Sequence, residues 1–246
     1  MIIVYGTRFY GKVKACGRSF LATQFVHIYY VPLIPVGTHL ILEESGGGGS
    51  YKGIKTDFSL KSMLAAYLRV WGPIAVITSI AIGVGTIEDV SDDGFAMAVA
   101  GIFTAVVTLA LLAGTILGWA VMGKLSHDEK KKRAVYALHL GYPVDPADMG
   151  EARRAFRDGL MSTIAERARG MAAMGYRMNA DPAVAWPHVA LDPTHSDEAL
   201  ITAAFTLARL DASLAQGPQK FQMEQVHDQL WQRIARSNAP YLNVAA

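Results

Sequence analysis

The chain has 246 residues, of which 52% are hydrophobic and only 18% are charged, whereas charged residues make up about 25% of an average soluble domain. The net charge of +2 is too small to favour nucleic-acid binding through bulk charge, and a single cysteine, Cys16, excludes an internal disulfide. The chain does not open with a basic segment followed by an apolar run and a cleavage site, so we expect no signal peptide and a cytoplasmic N-terminal segment.

Residues 1–60 predict a small β-rich cytoplasmic module. β-branched and aromatic residues dominate the stretches 2–5, 20–30 and 38–43, and prolines at 32 and 35 punctuate the module. Residues 45–50, four glycines between two serines, have the composition of a flexible loop or linker.

Residues 25–37 read Phe-Val-His-Ile-Tyr-Tyr-Val-Pro-Leu-Ile-Pro-Val-Gly. This run resembles the Phe-x-x-Phe-Phe-Ile-Pro-Leu-Phe-Pro stretch of small bacterial zinc-ribbon-like modules that often precede transmembrane segments. In that family, paired Cys-x-x-Cys knuckles flank the stretch and bind zinc. Here Cys16, His27 and His39 do not supply two such knuckles, and tetrahedral zinc requires four ligands. The resemblance therefore implies a degenerate module without its metal, and we expect no cofactor.

Two interpretations of the aromatic run remain open. The run can form the core of its own small module. Alternatively, Tyr29, Tyr30 and Leu33 form an interaction surface that packs against the membrane interface, where amphipathic aromatic side chains are favoured.

Two apolar stretches predict a transmembrane hairpin at 61–123. Residues 95–123 contain no charged residue and no histidine, and as a helix they would extend about 43 Å against a hydrocarbon thickness of about 30 Å. Residues 70–87 are also uncharged, and Arg69 before them can extend its side chain to the headgroups. We expect helices at about 65–87 and 95–123, joined by an outer loop at 88–94.

The charges beside the hairpin predict its orientation. The loop at 88–94 carries four acids and no base, and lysine and arginine near helix ends mark the cytoplasmic side. We therefore expect a multi-pass protein of a bacterial inner membrane with both termini in the cytoplasm. The flanking bases are Lys52, Lys55, Lys61, Arg69, Lys124, Lys130, Lys131, Lys132 and Arg133. The last six of these are expected to contact lipid headgroups.

Small residues recur every fourth position in both apolar stretches, which lets helix backbones approach closely in lipid. The two sets are Ala75, Ser79 and Gly83, and Ala110, Gly114 and Gly118. They predict packing of the hairpin against itself, or of one face against a partner subunit or a second copy, and the two arrangements are compatible.

Residues 124–246 predict a cytoplasmic helical domain. A helix at 127–140 is stopped by Gly141, and Asp145 with Pro146 opens a helix that runs to about residue 174. A proline-rich link at 181–193 precedes two more helices. Ser196 and Asp197 open the first, Gly217 and Pro218 end it, and the second carries Met223, Val226, Leu230 and Ile234. Their apolar stripes can build one bundle core.

The sequence assigns no catalytic residue and no metal ligand. His188, Asp192 and His195 are spaced like ligands of a transition metal, but Pro187 and Pro193 predict a loop without a fixed ligand face. His139 lies in the same predicted domain. The motifs of phosphate-binding loops, zinc proteases and α/β-hydrolases do not occur.

Together these patterns predict a mixed membrane protein with a β-module, a transmembrane hairpin and a helical bundle domain. The expected function is that of a non-catalytic accessory subunit of an inner-membrane complex, with the lipid bilayer and other subunits or a second copy as partners. Two alternatives remain, a homo-oligomeric channel or transporter with an acidic outer vestibule, and a membrane-tethered enzyme.

Overall fold

The computed structural model describes residues 4–44, 51–89, 94–173, 182–194, 196–237 and 239–244. The predicted linker at 45–50 and the centre of the acidic loop, 90–93, lie outside the described residues. Four strands precede the helices: β1 Tyr5–Cys16, β2 Ser19–Ile28, β3 Val31–Glu44 and β4 Tyr51–Thr56. The α-helices are α1 Leu60–Asp89, α2 Gly94–Ala120, α3 His127–Leu140, α4 Arg153–Ala173, α5 Pro182–Leu191, α6 Glu198–Leu214, α7 Gly217–Arg236 and α8 Tyr241–Val244.

The chain divides into two compact units. The first unit comprises Met1–Ala15, Phe20–His39 and Asp57–Lys124 and therefore holds most of β1 and β2 together with α1 and α2. The second unit comprises Cys16–Ser19, Leu40–Thr56 and Leu125–Ala246. It holds β4 and the helices from α3 onward.

The predicted β-rich N-terminal module is confirmed as a four-stranded sheet in the order β1-β2-β3-β4. Two-residue turns join β1 to β2 and β2 to β3, which makes these neighbours antiparallel. The second turn consists of Tyr29 and Tyr30, whose φ angles are 47° and 65°, as a type I′ hairpin turn requires.

Pro32 and Pro35 lie inside β3, although prolines predict an interruption. β4 has six residues, and its Gly53 lies against Leu40 and Ile41, so among the described residues the first half of β3 has no strand on that side. Proline is tolerated on such an edge because it has no N–H to donate to a neighbour.

α1 and α2 are both long and apolar enough to cross a membrane, by length and composition. α1 begins five residues before the predicted start, because Ser59 caps it by accepting from the Ser62 N–H at 3.3 Å. Pro73 consequently falls in the helix interior, where it leaves the carbonyl of Arg69 without its i+4 donor. α2 ends at Ala120, three residues before the predicted end.

The second unit is helical, as predicted, and α6 is its central helix. Eleven residues of α6 are buried, including Leu200, Phe205 and Leu210, so the helix is apolar nearly all round, as expected of a core helix. Asp197 caps α6, because its Oδ1 accepts from the Leu200 N–H at 3.1 Å. The predicted helix at 127–140 has the observed bounds of α3.

Two predictions for this unit need correction. The helix expected from Pro146 starts only at Arg153, because two 3₁₀ turns come first and Gly150 has a φ of 54° against the Lys55 carbonyl. The proline-rich link contains α5, so a loop is wrong for 182–191. The buried side chain of Trp186 in α5 shows that packing outweighs the cost of Pro187 within the helix.

Candidate functional site

The outer surface of α1 and α2 is largely apolar and uncovered. In the most apolar 18 residues of each helix, 11% of the α1 stretch and none of the α2 stretch is buried. Ile77, Ile102 and Phe103 are each about two-thirds exposed. Apolar surface in water costs about 25 cal/mol per Å², so a surface of this extent requires lipid or protein to cover it.

Small and hydroxyl-bearing residues hold α1 against α2. A Cβ at Gly83 would collide with the Thr104 side chain, and a Cβ at Gly118 would lie 2.7 Å from Leu68 Cβ. The hydroxyls of Ser79 and Thr108 are hydrogen-bonded at 2.9 Å. Three of the six predicted packing residues therefore lie at this helix contact.

The other three predicted packing residues are placed differently. A Cβ at Gly114 would meet no heavy atom of the described chain within 4 Å, and Ala110 is exposed. Ala75 lines an apolar groove of about 540 Å³ between the helices, together with Trp71, Thr78 and other side chains. The face of α2 that bears Ala110 and Gly114 is thus not used within the hairpin.

The Arg69 guanidinium joins α1 to the end of α2, whereas the sequence predicted contact with lipid headgroups. Nε donates to the Gly118 carbonyl at 3.0 Å, Nη1 donates to the Lys12 carbonyl at 2.7 Å, and Nη2 donates to the Met122 carbonyl. The last carbonyls of a helix lack intrahelical donors and carry partial negative charge. Arg69 therefore caps α2 and ties β1 to it.

The other predicted headgroup contacts are not equivalent to one another. Arg133 is 2% exposed and pairs with Glu129 at 3.1 Å and with Asp148 at 3.8 Å, so it is not available to lipid and that assignment is corrected. Lys124 is exposed, Lys130 and Lys131 are half-buried, and Lys132 pairs with Asp128 at 3.3 Å.

The predicted interaction surface lies on the β2–β3 hairpin. Tyr29 and Tyr30 form its turn, Leu33 follows on β3, and all three side chains are exposed. The nearby His27 is stacked on Tyr30 with ring centroids 5.7 Å apart. Phe25, by contrast, is fully buried, so the aromatic run supplies both a core and a surface.

The second unit contains a polar cavity of about 260 Å³ that the sequence did not indicate. Its lining consists of Glu129, Lys132, Tyr136, Asp145, Arg209, Glu224, His227 and Asp228. Four carboxylates thus face two basic side chains. Arg209 binds Asp145 in a bidentate ion pair, with distances of 2.9 and 2.7 Å, which leaves an excess of negative charge.

Tyr136 and His227 form a buried hydrogen-bonded pair in this cavity. The Tyr136 hydroxyl lies 2.8 Å from His227 Nε2, and Asp228 lies 3.4 Å from Nδ1. Because the carboxylate accepts from Nδ1, Nε2 is left to accept from the hydroxyl. Phe205 stacks on both rings, at 5.0 and 4.4 Å between centroids.

Burial sets the protonation of both partners. Burial, assisted by Arg209 and Lys132, lowers the pKa of His227 to about 4. Burial also raises the pKa of Tyr136 well above its ordinary value, and Asp145 adds to the shift. The pair is therefore neutral at physiological pH, and it can hold a proton between two buried atoms.

The histidines singled out in the sequence are not brought together. His139 Nε2 lies 3.0 Å from the Thr202 hydroxyl, and burial, with Arg167, lowers the pKa of His139. His188 is exposed on α5, Asp192 follows that helix, and His195 lies outside the described residues. Within the described ranges, no three His, Cys, Asp or Glu side chains converge as metal ligands.

One sequence signal could have indicated the polar cavity, which the sequence predictions do not include. His227 sits among Met223, Val226 and Leu230 on the apolar side of α7, and Arg209 interrupts the apolar residues of α6. A titratable residue on a core face needs a buried partner. Its partners lie up to 91 positions away in sequence, and helix periodicity does not identify them.

Comparisons of the chain with protein families, with characterised proteins and with solved structures give no match.

Proposed function

We propose that the chain is a non-catalytic accessory subunit of a bacterial inner-membrane complex, in which α1 and α2 span the membrane and two cytoplasmic modules bind partners. One observation carries the proposal. The apolar stretches of α1 and α2 are 11% and 0% buried, and such a pair of helices is stable when lipid and neighbouring helices cover it.

The packing of the hairpin supports a partner in addition to lipid. Gly83 and Gly118 are used between α1 and α2, whereas Gly114 and Ala110 form a small-residue face that this hairpin leaves open. A helix from another subunit can approach closely at such a face. The groove beside Ala75 offers a second position for an apolar segment.

The placement of the hydroxyl groups favours this role over that of a channel. Ser79 and Thr108 bond to each other, and Thr115 donates to the Leu111 carbonyl. A conduction path requires polar groups that remain available to an ion or to water. These hydroxyls are engaged in hydrogen bonds between the two helices or within α2.

The test is purification of the tagged full-length chain from native membranes in a mild detergent, with mass spectrometry of what accompanies it. We expect a defined complex with at least one other membrane protein, and its loss in Gly114→Leu. Ala113→Leu is the matched control, since Ala113 is exposed and faces about 100° away around the helix. A wild-type chain that is recovered only as a monomer contradicts the proposal.

A further inference from the structure

Three hydrogen bonds tie β3 to the beginning of α1. They run from the Ser59 N–H to Thr38 Oγ1 at 3.0 Å, from the Tyr67 hydroxyl to the Leu33 carbonyl at 2.8 Å, and from Trp71 Nε1 to the Pro32 carbonyl at 2.9 Å. As the residue number rises along α1, the number of the bonded residue in β3 falls. β3 therefore runs beside α1 in the opposite direction.

The lengths of the two segments agree with this arrangement. From Ser59 to Trp71 the chain rises twelve residues, or about 18 Å of helix. From Thr38 to Pro32 it covers six residues, or about 20 Å of strand. The turn at Tyr29 and Tyr30 comes before Pro32 in the chain and thus lies at or beyond the level of Trp71.

The level of Trp71 is where the uncharged part of the hairpin begins. Trp71 is the second residue of the uncharged stretch that follows Arg69, and the Arg69 guanidinium binds carbonyls at the end of α2. Gly72 lies against Thr115, so the uncharged stretch of α2, which ends at Gly123, ends about two helical turns from this level. If α1 and α2 span a bilayer, the headgroup region is located here.

The β2–β3 hairpin end presents a surface suited to that region. Its exposed apolar side chains are those of Ile28, Tyr29, Tyr30, Leu33, Ile34 and Val36. Residues 1–42 contain no acidic residue, and the Arg8 guanidinium lies 5.5 Å from the centroid of the Tyr30 ring. Exposed aromatic rings beside a basic group, with no acid nearby in the sequence, match an anionic membrane surface.

The turn holds its aromatic side chains in place. A type I′ turn favours asparagine and glycine, which tolerate positive φ, yet two tyrosines occupy it here. The Tyr10 hydroxyl donates to the Tyr30 carbonyl at 2.8 Å, and the Tyr29 N–H donates to the Val4 carbonyl at 2.8 Å. The tyrosines are therefore displayed on a fixed turn and not on a loose loop.

We propose that the hairpin end from Ile28 to Val36 is an interfacial anchor that inserts into the headgroup region of an anionic bilayer. The inference rests on the proposed function, since it requires α1 and α2 to span that bilayer. The anchor holds the sheet against the membrane at the end of the hairpin where the Arg69 guanidinium binds carbonyls at the end of α2.

The experiment measures depth with a nitroxide label in the full-length chain, reconstituted into vesicles of phosphatidylethanolamine and phosphatidylglycerol. Cys16→Ser removes the single cysteine, and single cysteines are introduced as Tyr29→Cys, Ile34→Cys, Phe58→Cys or Ile77→Cys, four exposed positions. The collision rates of each label with oxygen and with a water-soluble nickel chelate report its depth. Ile34→Cys leaves the turn itself unchanged.

We expect the labels at Tyr29 and Ile34 to be shielded from nickel at least fivefold more than the label at Phe58, which adjoins Ser59 at the opposite end of the β3 contact. The label at Ile77 should be the most shielded. Aqueous labels at Tyr29 and Ile34 with a shielded label at Ile77 overturn the anchor and leave the spanning helices intact. An aqueous label at Ile77 overturns the proposed function itself.

A second copy of the chain is the competing occupant of this surface. If lipid shields the label, the shielding persists when labelled protein is diluted with an excess of unlabelled protein. The spectrum of the label then shows no spin–spin broadening. Broadening at Tyr29 that disappears on dilution assigns the surface to self-association and overturns the anchor.

Discussion

Arg209 and Asp145 lie in the interior of the helical unit, where an unpaired charge would cost several kcal/mol. Their bidentate contact neutralises both, and the ion pair raises the pKa of Arg209 above its ordinary value, chiefly through the hydrogen bond to Asp145. His227 avoids the cost of a buried charge because its imidazole remains neutral. The neutral imidazole makes the unit sensitive to acid.

The sensitivity follows from the difference between the folded and unfolded pKa values of His227. In the unfolded chain this histidine titrates near its ordinary value of 6.5, whereas in the folded chain its pKa is about 4. Above pH 6.5 both states are neutral and the group has no effect. As the pH falls from 6.5 to 4, the unfolded state binds a proton that the folded state does not, so stability is lost.

The wild type is expected to lose free energy of unfolding when the pH falls from 7.5 to 5.0. We expect this loss to be about 2 kcal/mol smaller in His227→Gln, which keeps a hydrogen-bonding partner for Tyr136. Urea unfolding of the full chain in mild detergent, followed by tryptophan fluorescence, measures both values. His188→Gln is the matched control, because His188 is exposed. Parallel pH curves for wild type and His227→Gln would show that burial does not depress this pKa.

At the scale of single residues, the sequence predicted caps better than it predicted partners. Asp197 and Gly141 were identified as helix ends, and Asp145 as a cap, because a cap depends on residues within a few positions. Asp145 caps a 3₁₀ turn, however, and not the long α-helix that was expected to follow it. Arg133 was assigned to the lipid surface because it belongs to a basic run, but it is paired inside the protein. The identity of a long-range partner is set by packing and not by local pattern.

At the scale of elements, the two apolar helices were predictable because an uncharged run has few other uses. Their contact was only partly predictable. Spacing by four identifies a small-residue stripe, but it does not tell which of two stripes faces the neighbouring helix. Gly83 and Gly114 differ in this respect, since a Cβ at Gly83 would strike Thr104 and a Cβ at Gly114 would strike nothing within the described chain.

We therefore expect Gly83→Ala to destabilise the α1–α2 contact by about 1–3 kcal/mol, as overpacking does. Gly114→Ala, the matched control, should be neutral or slightly stabilising because alanine favours a helix. The SDS mole fraction at which each purified variant loses its tryptophan fluorescence signal measures the contact. Equal midpoints for the two variants would mean that α1 and α2 do not meet at Gly83.

β3 and α5 show why proline is a poor guide at this scale. Both elements contain prolines that predicted a break. In β3 the affected half forms a sheet edge, and in α5 the buried Trp186, Val189 and Ala190 secure the helix. The cost of a missing N–H is local and small compared with the burial of several apolar side chains.

At the scale of the whole molecule, the prediction that remains to be tested is orientation. Under the positive-inside rule, the bases beside α1 and α2 and the acids at 88–94 predict that both ends of the chain lie in the cytoplasm. Length and apolar composition make the two helices able to cross a membrane, but they do not give a direction.

The orientation is testable with single cysteines in the Cys16→Ser chain. We expect Asp92→Cys in the acidic loop to react with a membrane-impermeant maleimide in intact cells. Ser126→Cys, an exposed position after α2, should react only after permeabilisation. A tag at the N-terminus provides the third location, and we expect it in the cytoplasm. A chain with one crossing or none cannot have a cytoplasmic tag, an outer residue 92 and a cytoplasmic residue 126. The three locations together therefore distinguish a hairpin from other topologies. Labelling of Ser126→Cys but not of Asp92→Cys in intact cells would reverse the orientation, and labelling of both sites in intact cells would mean that α2 does not cross.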